Sequence, residues 1–237
     1  MASLASPRWR AEGGDGMQQM EPTNATMAVR LMQESDLEAV AQLHISAFPE
    51  QLMSRLGVDV VRAYYAWQLR CGATARAFRA AVVGNGNGLA GFVIGGRYHG
   101  ATSGFVKAYA GTLLLALARN PQLLGDRRVL AKLRAVTRAV FSVWFRRAAP
   151  SQTGPVAEPS FGVLALAVAP QSQGSGVAAL LMHDLEGAAM AAGFLAMNLH
   201  VNTDNPRAIA FYEKRGWQRD GARPWTGNMR LLLEQRP

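Results

Sequence analysis

From residue 161 onward the chain alternates strand-like and helix-like runs with sharp punctuation between them, and this constrains the fold more than any other feature. The apolar run Phe161–Val168 stops at Pro170, and a glycine-bearing turn leads into a helical pattern over 177–192. A second strand pattern over 194–201 precedes a helix over 206–215, then short strands near 217–219 and 226–233. Strands that alternate with helices in this way call for a sheet covered by helices. The first hundred residues fit the same plan. A short strand, Ala28–Leu31, leads to a helix that starts after Ser35 and Asp36 and ends at Phe48 and Pro49. A second helix, about 51–69, carries Val60, Tyr64 and Trp67 at helical spacing. Strands over 75–83 and 89–98 flank Gly84-Asn85-Gly86-Asn87-Gly88. Asn-Gly between two strands is hairpin chemistry, not a phosphate cradle. The expected class is α/β: a mixed central sheet flanked by helices, with a helical insertion between the third and fourth strands.

That insertion, about 99–157, is different in kind. Helical patterns over 105–119 and 127–147 flank Asn120-Pro121, and the second carries Val129, Leu133, Val136, Val140 and Trp144 down one face. Nine Lys and Arg oppose Asp126 alone there, so 9 − 1 = +8 of the chain's net charge of +9 lies in this segment. Its basic side chains include Arg127, Lys132, Arg134 and Arg138. They read as a solvated helical lid, as a funnel for an acidic ligand, or as weak contact with an anionic membrane surface. Nucleic acid is not expected, since the segment has no recognisable motif and no interleaved aromatic platform. Residues 1–27, with Gly13, Gly14, Gly16 and Pro22 and no periodicity, read as a mobile tail, leaving 28–237 as a single domain.

Composition excludes several classes. With 49% hydrophobic and 17% charged residues the chain is not largely disordered. The longest apolar candidate, 108–118, is shorter than the ~18 residues a membrane span needs. One cysteine, Cys71, cannot form an internal disulfide, and four scattered histidines give no ligand cluster. A cytoplasmic location and no structural metal are expected.

Two segments carry chemistry. In the turn Gln171-Ser172-Gln173-Gly174-Ser175-Gly176-Val177-Ala178, two glycines free the backbone just before a helix begins. Unpaired N–H groups and the positive end of the helix dipole then converge, which suits a phosphate or pyrophosphate, and Ser175 could add a hydroxyl. No Lys-Ser/Thr follows, so the turn is not a nucleoside-triphosphate loop. Thirty residues on, Asn205 suits an N-cap, Pro206 the first helical turn and Gly216 the residue after the helix. Asn205 and Tyr212, seven apart, share a face with the small Ala208 between them, leaving a slot for a slender ligand.

Together these segments resemble the GNAT superfamily of N-acetyltransferases. The superfamily's Gln/Arg-x-x-Gly-x-Gly/Ala signature is matched at Gln173, Gly176 and Ala178, and the resemblance is close over 161–217. It implies acetyl-coenzyme A as cosubstrate, its pyrophosphate held by the backbone of Gln173, Gly174, Ser175, Gly176, Val177 and Ala178. The strands over 161–168 and 194–201 would splay, and the pantetheine arm would pair with the open edge of the first. An amide there, near Leu166 to Val168, would polarise the thioester carbonyl. Asn205 and Ala208 would flank the arm, and Tyr212 would protonate the leaving thiolate. The implied reaction is direct attack by a primary amine, a small molecule or a peptide. His200, twelve residues before Tyr212, stands where some members carry a glutamate base, and imidazole titrates near pH ~6.5 when unperturbed. His44, Glu50, Glu158 and water are the alternatives. Cys71 reads as a small buried residue, and His99 and His183 as packing or solvated ones. The alternative function is a non-catalytic acyl-coenzyme A binding module whose basic insertion docks a partner.

Overall fold

The computed structural model describes residues 27–72, 78–84, 88–97, 101–125, 160–221 and 223–233. Strands are β1 (Ala28–Leu31), β2 (Phe78–Gly84), β3 (Leu89–Arg97), β4 (Phe161–Val168), β5 (Ala196–His200), β6 (Gln218–Arg219) and β7 (Asn228–Leu232). Helices are α1 (Leu37–Ala47), α2 (Leu52–Leu56), α3 (Val58–Gly72), α4 (Ala101–Ala108), α5 (Ala110–Arg119), α6 (Val177–Ala191) and α7 (Pro206–Lys214). The seven strands form one mixed sheet in the order β1-β2-β3-β4-β5-β7-β6. Every neighbouring pair is antiparallel except β4 with β5. None of the described helices is long and apolar enough to cross a membrane.

Two expected helices are divided. The run expected over 51–69 breaks at Gly57, whose φ of +107° is a left-handed conformation that ends one helix and re-aims the next. The run expected over 105–119 begins earlier, at Ala101, and breaks at Tyr109, whose φ of −121° and ψ of 26° leave the helical region while its ring stacks on Phe105. The apolar period continues across both breaks, so periodicity alone misses them. The helix expected over 127–147, with Arg127, Lys132, Arg134 and Arg138, lies outside the described residues, as do residues 1–26, His99 and Glu158.

The sheet is packed on both faces. On one, Val40, Ala41, Val61 and Tyr65 from α1 and α3 meet Phe92 and Ile94 of β3. On the other, α6 buries Val177, Leu181 and Leu185. Burying each such aliphatic side chain contributes about 1.5–3 kcal/mol before ordering costs. Glycine permits the close approach of α6. A Cβ on Gly91 would come within 2.8 Å of Val177 Cγ1, and one on Gly95 within 2.7 Å of the Phe161 ring. The buried Glu186 on α6 accepts two 3.1 Å bonds from Arg215 at the end of α7, fixing the two helices relative to each other. Breaking such a buried pair by removing one partner costs about 3–5 kcal/mol.

One irregularity positions everything that follows. β4 and β5 pair only at Phe161 with Met197 and Gly162 with Asn198. Beyond Gly162 the two parallel strands separate, and β4 keeps only its β3 neighbour.

Candidate active site

The open edge of β4 can be read from its bonded edge. Ala169 N–H donates to Ala90 O at 2.8 Å, on the β3 side. Successive N–H groups of a strand point to opposite sides, and Leu166 and Val168 pair in unbroken register with Val93 and Gly91. The amides of Leu166 and Val168 therefore point away from β3, into the gap left by β5. These are the two amides the sequence pattern nominated.

At the end of β4 the chain turns through Pro170–Ser172 as a single 3-10 turn and enters α6. Gly174 and Gly176 take φ of +85° and +90°, and no atom lies within 4 Å of where a Cβ would stand on either. The turn is therefore open above both glycines, and the first amides of α6 have no helical acceptor. Two turn amides are already engaged: Gln173 N–H with Pro170 O at 3.3 Å and Ser175 N–H with Ser172 O at 3.4 Å. The Ser175 hydroxyl, expected as a further phosphate donor, instead donates to Ser172 O at 2.6 Å. A short polar side chain beside a bent backbone satisfies the nearest carbonyl first. Gln173 reaches out to α7, where its Oε1 accepts from Arg207 Nη1 at 2.7 Å. Arg207 was missed in the sequence, although a cation inside the Asn-Pro-Arg-Ala run beside an anion-favouring turn is a legible signal.

α7 is capped as expected. Asn205 Oδ1 accepts from Ala208 N–H at 3.0 Å, with Pro206 in the first turn. The side-chain amide nitrogen of Asn205 makes no hydrogen bond among the described residues. Tyr212 is buried edge-on against Phe211 and Trp217, with ring centroids at 5.2 and 5.7 Å. Burial pushes its phenol up to about 12, so it holds its proton throughout the neutral range.

A cavity of about 700 Å3 joins these parts. One wall comprises Val163 to Leu166 of β4, residues 199–203, Asn205, Ala208 and Tyr212. The other is built from α1, the loop after it, α2 and α3: His44, Phe48, Glu50, Met53, Tyr64, Tyr65 and Gln68. The structure thus gathers Leu166, His200, Asn205, Ala208 and Tyr212 around one space, with His44 and Glu50 opposite. Val168 and residues 173–178 stand at the turn beyond that lining, and His183 is exposed on α6.

The base candidates differ. His200 is exposed between the buried Leu199 and Val201, on the opposite face as strand alternation requires, and its Nδ1 is 3.1 Å from Asn228 Oδ1. His44 is buried, with Nδ1 2.7 Å from the Tyr65 hydroxyl, and desolvation lowers its pKa to about 4. It is neutral near pH 7. Glu50 is exposed where the loop after α1 meets the cavity. Tyr64, Tyr65 and Gln68 went unnoticed as site residues because Tyr64 fits the apolar stripe of α3. Their signal is the i,i+4 spacing of Tyr64 and Gln68, which are joined by a 2.8 Å bond from Gln68 Nε2 to the Tyr64 hydroxyl.

Residues 139–217 match the model of the acetyltransferase (GNAT) family, a span that includes the turn at 173–178 and all of α7. Solved acetyltransferases share the architecture over nearly their whole length. The chain has the GNAT fold. Its similar structures include SsHAT, at 21% identity and TM-score 0.56, with 87% of this chain and 98% of that one covered. Another is yncA of Salmonella typhimurium, solved with acetyl-CoA, at 14% identity and TM-score 0.52 over 90% and 96% of the two chains. A third is the paia N-acetyltransferase of Thermoplasma acidophilum, in complex with coenzyme A, at 12% identity and TM-score 0.52 over 87% and 99%. Within this GNAT fold, β1 to β3 supply the half of the sheet that the sequence resemblance reached only through element order.

Proposed function

We propose that this protein transfers an acetyl or short acyl group from a coenzyme A thioester to a primary amine. The observation that carries the reading is the continuity of the open β4 edge. It runs from the glycine turn, past the outward amides of Val168 and Leu166, to the cavity that Tyr212 and His200 both line. The residues fit the cosubstrate. Gly174 and Gly176 leave the turn open to a pyrophosphate, the α6 amides and helix dipole favour its charge, and Asn205 can offer its amide nitrogen to the arm. The acetyl-CoA and coenzyme A found with two proteins of the same fold support this choice.

In this mechanism an outward amide of β4 donates to the thioester oxygen, where negative charge develops as the amine attacks. With Nδ1–H donated to Asn228 Oδ1, His200 keeps its Nε2 lone pair for the proton that the amine sheds. Tyr212, protonated because it is buried, gives its proton to the leaving thiolate. His44 is the weaker base, because a conjugate acid with a pKa of about 4 holds a proton poorly at neutral pH.

Coenzyme A release measured with a thiol reagent, alongside the mass of the acylated amine, tests the reading. Tyr212→Phe should lower kcat by about 10²-fold while leaving acetyl-CoA affinity nearly intact. Unaltered kcat would remove Tyr212 from the chemistry. Tight acetyl-CoA binding with no acylated product from any amine would favour a non-catalytic binding module.

A further inference from the structure

We propose that the wall formed by α1, α3 and the loop between them selects a primary amine carried on an apolar, ring-sized body with no acid group. This rests on the acyl-transfer reading of the same cavity and names the acceptor class that reading leaves open. The wall sets the aromatic and aliphatic side chains Phe48, Met53 and Tyr64, each partly buried on the cavity, beside the polar His44, Glu50, Gln51 and Gln68. A cavity of about 700 Å3 has room for the end of an acyl-bearing arm together with a small ring.

Charge narrows the class further. Among the described residues that line the cavity there is no Lys or Arg, and Glu50 is the one carboxylate. Two hydrogen bonds tie the buried polar groups of this wall, His44 Nδ1 with the Tyr65 hydroxyl at 2.7 Å and Gln68 with Tyr64 at 2.8 Å, while His44 Nε2 is buried with no partner among the described residues. His44 stays neutral because burial disfavours its imidazolium. Among the described lining residues there is no cation to replace the hydration that a carboxylate or phosphate on the acceptor would lose against this wall, and Glu50 would meet it as a like charge. A polyamine fares little better, since one carboxylate pairs with one ammonium and the others would be stranded against apolar surface. A single ammonium near Glu50, on an apolar body, leaves no charge unpaired. The lining thus favours the opposite of the acidic acceptor that the chain's charge distribution suggests.

The test titrates full-length protein saturated with coenzyme A, by calorimetry, with 2-phenylethylamine, with phenylalanine and with spermidine. Phenylalanine carries the same ring and amine plus a carboxylate. Phenylethylamine should bind about ten-fold or more tightly than either, which corresponds to about 1.4 kcal/mol or more. Glu50 is exposed, so Glu50→Lys should fold normally, and it should bring the phenylethylamine-to-phenylalanine ratio close to one. Equal or tighter binding of phenylalanine or spermidine, or no binding of phenylethylamine, would overturn the proposal. So would a ratio unchanged in Glu50→Lys. Acetylation of the same three amines is followed in parallel with acetyl-CoA. If the binding order holds but no amine is acetylated, the acyl-transfer reading fails and the selectivity of this wall stands. If amines are acetylated in a different order of preference, the wall assignment fails and the transfer reading stands.

Discussion

The two walls of the cavity are made of different material. The β4–β5–α7 side offers mainly backbone: the outward amide of Leu166 and, beyond the cavity lining, that of Val168, the left-handed glycines at 174 and 176, and a capped helix start at Asn205. The α1–α3 wall works through side chains, namely aromatic faces, one exposed carboxylate and two neutral hydrogen-bonded pairs. Backbone recognition demands particular residues at particular places, because only glycine accepts φ near +90° without strain and only a few side chains cap a helix. Side-chain recognition admits many solutions on one scaffold. On the proposed acyl-transfer reading, the first wall would hold the invariant coenzyme A part and the second the acceptor.

The comparison breaks most readily at Gly176. Valine there would sit at φ of +90°, a conformation costing about 1–2 kcal/mol for a residue with a Cβ, and its side chain would fill the open space above the turn. Losing two charge-assisted amide bonds to phosphate, about 1.5–3 kcal/mol each, should weaken acetyl-CoA binding by about 10²- to 10⁴-fold. Amine binding should change little. Calorimetry on a variant whose folding is verified by urea melts measures both. Unchanged acetyl-CoA affinity would remove the turn from the donor wall.

A smaller effect is expected on the other wall. The pKa of His44 is about 4 in the folded chain, against ~6.5 when unfolded. Between those values the unfolded chain binds a proton that the folded chain does not. Stability should therefore fall as pH drops from 6.5 toward 4, by up to about 3 kcal/mol. In His44→Gln the residue no longer titrates, so the urea midpoint should depend less on pH over this window, with acetyl-CoA affinity at pH 7 unchanged. An identical pH dependence would mean that His44 is not held neutral by burial.

The same division explains what could be read in advance. β1 and β4 fall where the apolar runs place them, and α7 starts at Asn205 because its cap and proline are local signals. The helix breaks at Gly57 and Tyr109 are tertiary outcomes, since the apolar stripe runs through both. Gln173, Gly176, Asn205 and Tyr212 were legible from the resemblance to the GNAT superfamily, and the glycine turn and the capped helix start that carry three of them are local signals. Tyr65 and Gln68 were not, because a polar side chain on a buried helix face announces neither its partner nor the space beside it. The Ser175 hydroxyl is taken up locally, because the Ser172 carbonyl stands 2.6 Å away and accepts its proton, which sequence spacing does not announce.

The central claim is that the open edge of β4 and the glycine turn form one continuous donor site. Amide-resolved NMR of the full chain during titration with acetyl-CoA tests this most directly. The largest shifts are expected at the amides of Leu166, Val168, Gly174, Gly176, Val177 and Ala178, with smaller ones at Asn205. Shifts confined to the separate groove on the outer sheet edge, lined by Gln218, Arg219, Asp220 and Arg230, with the amides of β4 unmoved, would contradict it.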